Sequence, residues 1–284
     1  MNGLLTNFAA ESGIHVSLRA EPITTLGPLT VTNSIVYGTL CALLLTILLL
    51  IGARKVRFSP KKSAFAGALE WLTEFVINLL SGPFGSREKA AKFTPYFATF
   101  FFFIIFNNLM GLLPIVGPQI EVSGVPLFRP FTADLNGTIA LSVIAIVLVQ
   151  YLSIKQQGIK GHLKHYFSDK PWNPINFFIG ILEVFGELTR ITSLSLRLFL
   201  NTAVGEILIA VFTSMILAGG RTPIAVIPIF FFEMLVAGIQ AYVFTILAAT
   251  YLGLSIQHAD HGDDHTVHHS PEVPKTKVES GAKA

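Results

Sequence analysis

Long apolar blocks alternate with short polar segments along the chain, and each block predicts a helix. Near-continuous apolar runs cover residues 34–53, 93–116 and 134–154. A helix needs about 20 apolar residues to cross the hydrocarbon core of a bilayer, which is about 30 Å thick. These three runs are therefore predicted to be membrane-crossing helices.

Residues 64–82 show a different pattern, in which polar and apolar positions recur with helical spacing. Glu70 and Glu74 are four residues apart and stand among Trp71, Phe75 and other apolar side chains. Residues four apart share one face of a helix, so this segment has a polar face and an apolar face. It is predicted to be an amphipathic helix that lies along the cytoplasmic interface.

The two longest apolar runs, residues 175–218 and 224–257, predict a hairpin. A helix of about 44 residues is about 66 Å long, roughly twice the thickness of the hydrocarbon core. Each helix must therefore be steeply tilted, kinked or partly interfacial. The segment Gly219-Gly220-Arg221-Thr222-Pro223 between them has the composition of a turn.

The predicted fold class is an all-α membrane protein with about five membrane-crossing helices, an interfacial amphipathic helix and a C-terminal hairpin of two long tilted helices. Residues 1–33 are predicted to form a polar arm, residues 34–257 a membrane domain with its hairpin at 175–257, and residues 258–284 a histidine-rich polar tail. For the tail, a solvated segment and a metal site are both open, and its polar composition favours the solvated segment.

Composition and charge place the chain in a membrane and orient it. Apolar residues make up 52% of the 284 residues and charged residues 13%, against about 25% charged residues in soluble domains. Basic residues cluster at 54–57 and between 155 and 170, at the helix ends that alternating spans place on one side. By the positive-inside rule that side is the cytoplasm, which leaves the N-terminus outside.

One arginine lies deep inside the first helix of the predicted hairpin. Arg197 stands in an otherwise apolar stretch, and an arginine at the bilayer centre costs roughly 3 kcal/mol on insertion scales. Such a charge is tolerated where it faces protein or a water-filled path. Arg197 is therefore either a functional charge or half of a buried Arg–Glu pair that pins two helices together.

Polar residues continue from this arginine along the same helix. Glu183, Arg190 and Arg197 are spaced seven apart, and Asn201 follows Arg197 by four. Together with Glu187 they form one polar stripe, because residues three, four and seven apart share a helix face. A stripe of this kind predicts a polar path along the helix.

Folding the hairpin at its turn brings polar residues of the second helix opposite those of the first. Arg197 and Gln240 are nearly equidistant from Gly219, as are Glu206 and Glu233. Arg197 is therefore predicted to meet Gln240 near mid-membrane, and Glu206 to meet Glu233 nearer the outside. Two carboxyls in a low dielectric do not readily both ionise, so the second pair is expected either to share a proton, as a proton path requires, or to form a hydrogen-bonded pair that only packs the helices together.

These residues resemble a known family. Leu196-Arg197-Leu198-Phe199-Leu200-Asn201, followed by Gly205-Glu206, resembles the fifth-helix motif of subunit a of rotary F-type ATP synthases. The resemblance covers about residues 30–257. It continues in Asn107-Asn108-Leu109-Met110-Gly111-Leu112-Leu113-Pro114, Ala133-Asp134-Leu135-Asn136 and Gln240-Ala241-Tyr242-Val243-Phe244.

The resemblance implies a role in proton translocation for ten residues. The hairpin would wrap against a ring of c subunits, with two offset aqueous half-channels separated by an essential arginine, which Arg197 matches. Residues expected near this arginine and in the outer half-channel are Asn201, Gln240, Glu206 and Glu233, with Asp134 and Asn136 at its mouth. Residues expected in the cytoplasmic half-channel are Glu183, Arg190 and Ser193.

The chain departs from the family pattern at two of its positions. Glu233 stands where some bacterial members carry histidine, so a carboxylate pair replaces an imidazole relay. Leu200 occupies a position that is often glycine, which bears on how closely the helix approaches the ring.

The resemblance also implies partners and a location. The c ring, b-type peripheral stalk subunits, the other synthase subunits and the lipid bilayer are expected partners. The location is the bacterial inner membrane, with the mitochondrial inner membrane as the alternative. No cofactor or nucleic acid is expected and the chain is not itself an enzyme, because it has no phosphate-cradling glycine loop and nucleotide handling belongs to partner subunits.

Two other functions are open on the residues alone. A secondary transporter would place a site at mid-membrane, but such folds usually contain two similar halves with paired broken helices, and this chain has one hairpin and no repeat. A non-conducting membrane scaffold would make Arg197 structural.

Overall fold

The computed structural model of the protein describes residues 20–26, 29–58, 64–113, 121–122, 125–126, 129–166, 174–217 and 226–262. Six α-helices dominate these ranges: α1 (Asn33–Phe58), α2 (Ala64–Phe84), α3 (Arg87–Gly111), α4 (Leu135–Tyr166), α5 (Pro174–Leu217) and α6 (Val226–Gly262). A 3-10 helix, Phe131–Ala133, precedes α4. Two short antiparallel hairpins pair β1 (Pro22–Leu26) with β2 (Leu29–Thr32), and β3 (Glu121–Val122) with β4 (Val125–Pro126). The predicted all-α fold is confirmed.

The long C-terminal helices follow the hydropathy pattern closely. α5 has 44 residues and α6 has 37, with bounds near the predicted 175–218 and 224–257. The predicted turn at 219–223, the arm before residue 20 and the tail after residue 262 lie outside the described residues. Both helices pack against each other and against α4, so the two arms of the predicted hairpin are in contact.

All six described helices are long and apolar enough to cross a membrane, judged by length and composition. The sequence predicted about five crossing helices and placed α2 at the interface. Val76, Leu80 and Phe84 of α2 are buried at a spacing of four residues, while Trp71 is exposed. α2 thus has one packed face and one open face, and its position along the interface stays a prediction.

Helix bounds differ from the apolar runs where local hydrogen bonds extend a helix. α3 begins at Arg87, six residues before its apolar run, because the Ser86 hydroxyl oxygen accepts a hydrogen bond from the Lys89 amide at 3.2 Å. α4 continues to Tyr166, but it is broken at Gly158, whose φ of 76° lies in the left-handed region.

The core is centred on α6, which packs against α2, α3, α4 and α5. Small residues on α6, including Ala241 and Ala248, are fully buried and let neighbouring backbones approach closely. Phe244 is also fully buried and its ring lies 5.9 Å from the ring of Phe100 on α3. This packing fixes one face of α6 against the bundle, while Gln240 and Glu233 of α6 contact α5.

Candidate functional site

The clearest polar contact between the two long helices joins Asn201 and Gln240. The Asn201 side-chain amide donates a hydrogen bond to the Gln240 side-chain oxygen at 2.6 Å. The sequence predicted that Gln240 would meet Arg197, and the structure pairs it with Asn201, one helical turn further along α5. Equal distance from the turn does not fix which pair touches, because that also depends on how two helices cross and on how far each side chain reaches.

Replacing Asn201 with leucine should destabilise this contact. Gln240 is 2% exposed and its amide nitrogen has no hydrogen-bond partner in the described part of the chain, so the change would leave both of its polar atoms unpaired. We expect a loss of about 1–3 kcal/mol in stability. Thermal denaturation of detergent-solubilised protein measures it, and Asn201→Leu with Gln240→Leu should recover part of the loss. Additive losses in the double variant would contradict the pairing.

Arg197 lies at the border between a buried and an exposed face of α5. Leu194 and Leu198 are buried, whereas Leu196 and Leu200 are 40% and 51% exposed. Arg197 itself is part-buried. Among the described side chains its guanidinium makes no ion pair and no hydrogen bond. No described glutamate therefore forms the buried Arg–Glu pair that was the alternative role for Arg197.

Glu233 of α6 packs directly against α5 at Gly205. Its side chain is 7% exposed. A Cβ atom added to Gly205 would lie 2.6 Å from the Glu233 carboxyl carbon and 3.0 Å from one carboxyl oxygen. The glycine is therefore required for this approach. The sequence predicted that Glu233 would meet Glu206, and in the structure Glu233 contacts the preceding residue, Gly205. Among the described side chains, no hydrogen bond joins the two carboxyls.

Asp134 lies at the start of α4 and is held by two hydrogen bonds. One carboxylate oxygen accepts the hydroxyl of Ser34 at 2.7 Å, and the other accepts the backbone N–H of Asn136 at 3.1 Å. Asp134 is 7% exposed, whereas Asn136 is exposed. This carboxylate caps the helix and ties α1 to α4.

The cap and the charge of Asp134 can be separated by mutation. Asp134→Ala removes both and should cost about 1–2 kcal/mol of stability, because the N-cap oxygen and the Ser34 bond are lost. Asp134→Asn keeps a capping oxygen and should retain most of that stability. Thermal denaturation distinguishes the two. Equal destabilisation by both changes would show that the charge itself is needed.

On the N-terminal half of α5, Arg190 is held by two neighbours. Its guanidinium donates to the Glu187 carboxylate at 2.7 Å and stacks over the Tyr251 ring of α6, 4.6 Å from the ring centroid. Ser193 is exposed. The side chain of Glu183 lies outside the described residues, so the predicted stripe is seen from Glu187 onward.

Sequence reasoning missed Arg129, which precedes the 3-10 helix. Its side chain is 5% exposed, and the 3-10 helix that follows it packs against α5. One guanidinium nitrogen donates to the backbone oxygen of Ala133 at 3.2 Å. The sequence signal that could have indicated it is a single basic residue in the segment between the apolar runs 93–116 and 134–154.

Comparison with known proteins gives a consistent match. Residues 35–253 match a family model described as the ATP synthase A chain. The chain is 33% identical over 247 residues to ATP synthase subunit a 2 of Chlorobaculum tepidum, covering 84% of this chain and 66% of that protein. It is 32% identical over 246 residues to ATP synthase subunit a of Anaeromyxobacter dehalogenans strain 2CP-C, covering 84% and 60%. It is 33% identical over 258 residues to ATP synthase subunit a of Gloeobacter violaceus, covering 90% and 94%. The chain thus spans less than two thirds of the first two relatives and nearly all of the third.

Proposed function

Because the chain belongs to the family of the ATP synthase A chain, we propose that it is the proton-translocating stator subunit of an F-type ATP synthase. α5 and α6 contribute two aqueous half-channels, one to each side of the membrane, and Arg197 separates them. Proton flow through them drives rotation of a ring of c subunits, and ATP is made on partner subunits. The chain itself performs no bond chemistry.

The location agrees with this function. The chain is a multi-pass protein of the bacterial inner membrane, because it has six helices able to cross a membrane and its named relatives come from bacteria. Its partners in the proposal are the c ring, b-type peripheral stalk subunits and the other synthase subunits.

The observation that carries the proposal is the environment of Arg197. It stands in a helix able to cross the membrane, part-buried and without an ion-pair partner among the described side chains. An unpaired charge at such a place is tolerated where it serves a polar path. The Asn201–Gln240 hydrogen bond, one turn away, keeps α5 and α6 together beside it.

The guanidinium of Arg197 supplies an electrostatic function. It stays protonated at all relevant pH values. A carboxylate of the c ring that passes it is therefore favoured in its ionised form and releases its proton to the exit half-channel. The same positive charge repels a proton that would otherwise pass directly from one half-channel to the other.

An exposed apolar stripe next to Arg197 supports contact with the ring. Leu196, Leu200 and Val204 recur every four residues on α5 and are 40–51% exposed. Residues at this spacing form one continuous helix face. A leucine at position 200 is accommodated on this open face, and it sets how closely the ring helices approach.

The outer half-channel in this proposal runs past Glu206 and Glu233 toward the outer end of α4. Asn136 is exposed at that end, and Asp134, two residues earlier, is buried.

The cytoplasmic half-channel is proposed along the other end of α5. Ser193 is exposed there, and Arg190 is fixed by Glu187 and Tyr251. Glu183 would provide the titratable group of this half-channel. Because Arg190 is held in place by Glu187 and Tyr251, it would act on protons in this half-channel through its positive charge.

Two measurements test the proposed function. Blue-native electrophoresis of mildly solubilised membranes should show the chain migrating with a small proteolipid ring, and migration without one would favour the transporter. ATP-driven acidification of inverted membrane vesicles should require the chain. If vesicles depleted of the chain pump normally, the chain is a non-conducting scaffold.

A further inference from the structure

A second contact joins α5 to α6, about three helical turns from the Asn201–Gln240 hydrogen bond. The Arg190 guanidinium lies over the Tyr251 ring, 4.6 Å from the ring centroid, and such cation–π contacts are attractive. Arg190 and Asn201 are eleven residues apart on α5, and Gln240 and Tyr251 are eleven residues apart on α6. Eleven residues are close to three full turns, so both contacts lie on the same face of each helix. The two contacts define one antiparallel seam between α5 and α6.

Arg197 stands on this seam between the two contacts. It follows Arg190 by seven residues and precedes the other contact residue of α5 by four, so it shares their helix face. The α6 residue at the matching distances from its own two contact residues is Phe244. Phe244 is fully buried and its ring lies 5.9 Å from the ring of Phe100 on α3. The α6 residue at the level of Arg197 thus has no polar side-chain atom, and the two contacts flank the arginine.

The Tyr251 ring projects from a firmly held part of α6. Two residues further along, Gly253 packs so closely on α2 that an added Cβ would collide with the Pro83 backbone oxygen. The hydroxyls of Ser255 on α6 and Ser153 on α4 form a hydrogen bond at 2.6 Å. The ring therefore has a defined position relative to α2 and α4.

The N-terminal half of α5 has little packing of its own. Side chains there that are more than half exposed include Phe178, Leu182, Phe185 and Leu188. The Arg190 guanidinium also donates to Glu187 at 2.7 Å, but both residues belong to α5, so their ion pair does not fix α5 relative to α6. The stack on Tyr251 does fix it, because the ring belongs to the other helix.

We propose that Tyr251 is a positioning residue for Arg197. By holding Arg190, its ring fixes one end of the seam, and the Asn201–Gln240 hydrogen bond fixes the other. Among the described side chains Arg197 has no ion-pair partner, so its position depends on that of α5. The inference rests on the proposed function, in which Arg197 separates the half-channels. Loss of the Tyr251 ring would let α5 shift and would move the guanidinium relative to the ring carboxylates.

The test measures pumping per assembled complex in the whole synthase. Tyr251→Leu removes the ring face and should lower ATP-driven acidification of inverted vesicles about tenfold, since a misplacement of about 1 Å can cost a hundredfold and one seam contact remains. Tyr251→Phe keeps the ring face and should pump within about threefold of the unchanged protein. Tyr151→Leu is the matched control, because Tyr151 is 58% exposed on α4, near the level of the Ser153–Ser255 hydrogen bond. It should pump normally.

Two further readouts separate positioning from a general loss of stability. Passive proton conduction should be retained or increased in Tyr251→Leu, because a displaced Arg197 no longer blocks direct passage between the half-channels. Adding Tyr251→Leu to Arg190→Gln should lower pumping by no more than about twofold further, since both changes remove the same contact.

Each other result overturns the inference. Tyr251→Leu that pumps like the Tyr151→Leu control removes any role, equal loss in Tyr251→Phe assigns the effect to the hydroxyl, and failure of Tyr251→Leu to assemble assigns the ring to folding. Losses that multiply in the double variant, or passive conduction that falls with pumping, show that Tyr251 does not act through the seam. Arg197→Ala measured in parallel separates the two levels. If it still pumps, the proposed function fails; if it is inactive while Tyr251→Leu pumps normally, only the inference about Tyr251 fails.

Discussion

Arg197→Ala is expected to abolish ATP-driven proton pumping while the complex still assembles. The guanidinium is part-buried and has no ion-pair partner among the described side chains, so its removal leaves no buried carboxylate unpaired there. Stability should therefore change by less than about 1 kcal/mol, whereas a buried pair would cost 3–5 kcal/mol when broken. Pumping is measured by dye quenching in inverted vesicles, and assembly by blue-native electrophoresis.

Two companion measurements make this result specific. Passive proton conduction should be retained or increased in Arg197→Ala, because the positive barrier between the half-channels is lost. Arg197→Lys keeps a charge but changes its position and its hydrogen-bonding fork, so it should assemble and recover little pumping. If Arg197→Ala pumped normally, Arg197 would be structural and the central element of the proposed mechanism would be lost.

Much of the fold was predictable because it depends on local composition. The bounds of α5 follow from an uninterrupted apolar run that ends at a glycine pair, and nothing in the chain between Pro174 and Leu217 breaks a helix strongly. The breaks that were missed depend on single hydrogen bonds or dihedral angles. Ser86 starts α3 early, and Gly158 interrupts α4 without changing its apolar pattern.

The sequence predicts a set of site residues, but it does not predict which of them touch. Helical spacing indicates that Arg197 and Asn201 share a face, but it does not tell which of them reaches Gln240. That choice depends on helix inclination and on side-chain length, which are properties of two packed helices rather than of one. Arg129 was missed for the same reason, since its burial depends on how the segment around the 3-10 helix packs against the neighbouring helices.

Gly205 shows how such a contact becomes a strong requirement on sequence. An alanine there would place its Cβ 2.6 Å from the Glu233 carboxyl carbon, closer than atoms can approach. Gly205→Ala is therefore expected either to displace the Glu233 carboxyl or to separate α5 from α6. Displacement of a transport group by about 1 Å can lower a rate roughly a hundredfold. We expect proton pumping in inverted vesicles to fall at least about tenfold, with a stability loss of about 0.5–1.5 kcal/mol for the shifted Glu233 side chain.

The chain offers controls for this change in the same two helices. A Cβ on Gly186 of α5 or Gly238 of α6 would meet no atom within 4 Å, so alanine at either position should pump normally and stabilise its helix by up to about 1 kcal/mol. Glu233→Asp shortens the acid by one methylene and should relieve the collision, so adding it to Gly205→Ala should restore stability. Restored stability without restored pumping would show that the carboxyl must reach its original position beside Glu206. A Gly205→Ala protein as active as the Gly238→Ala control would instead show that the approach of Glu233 to α5 is not needed for transport.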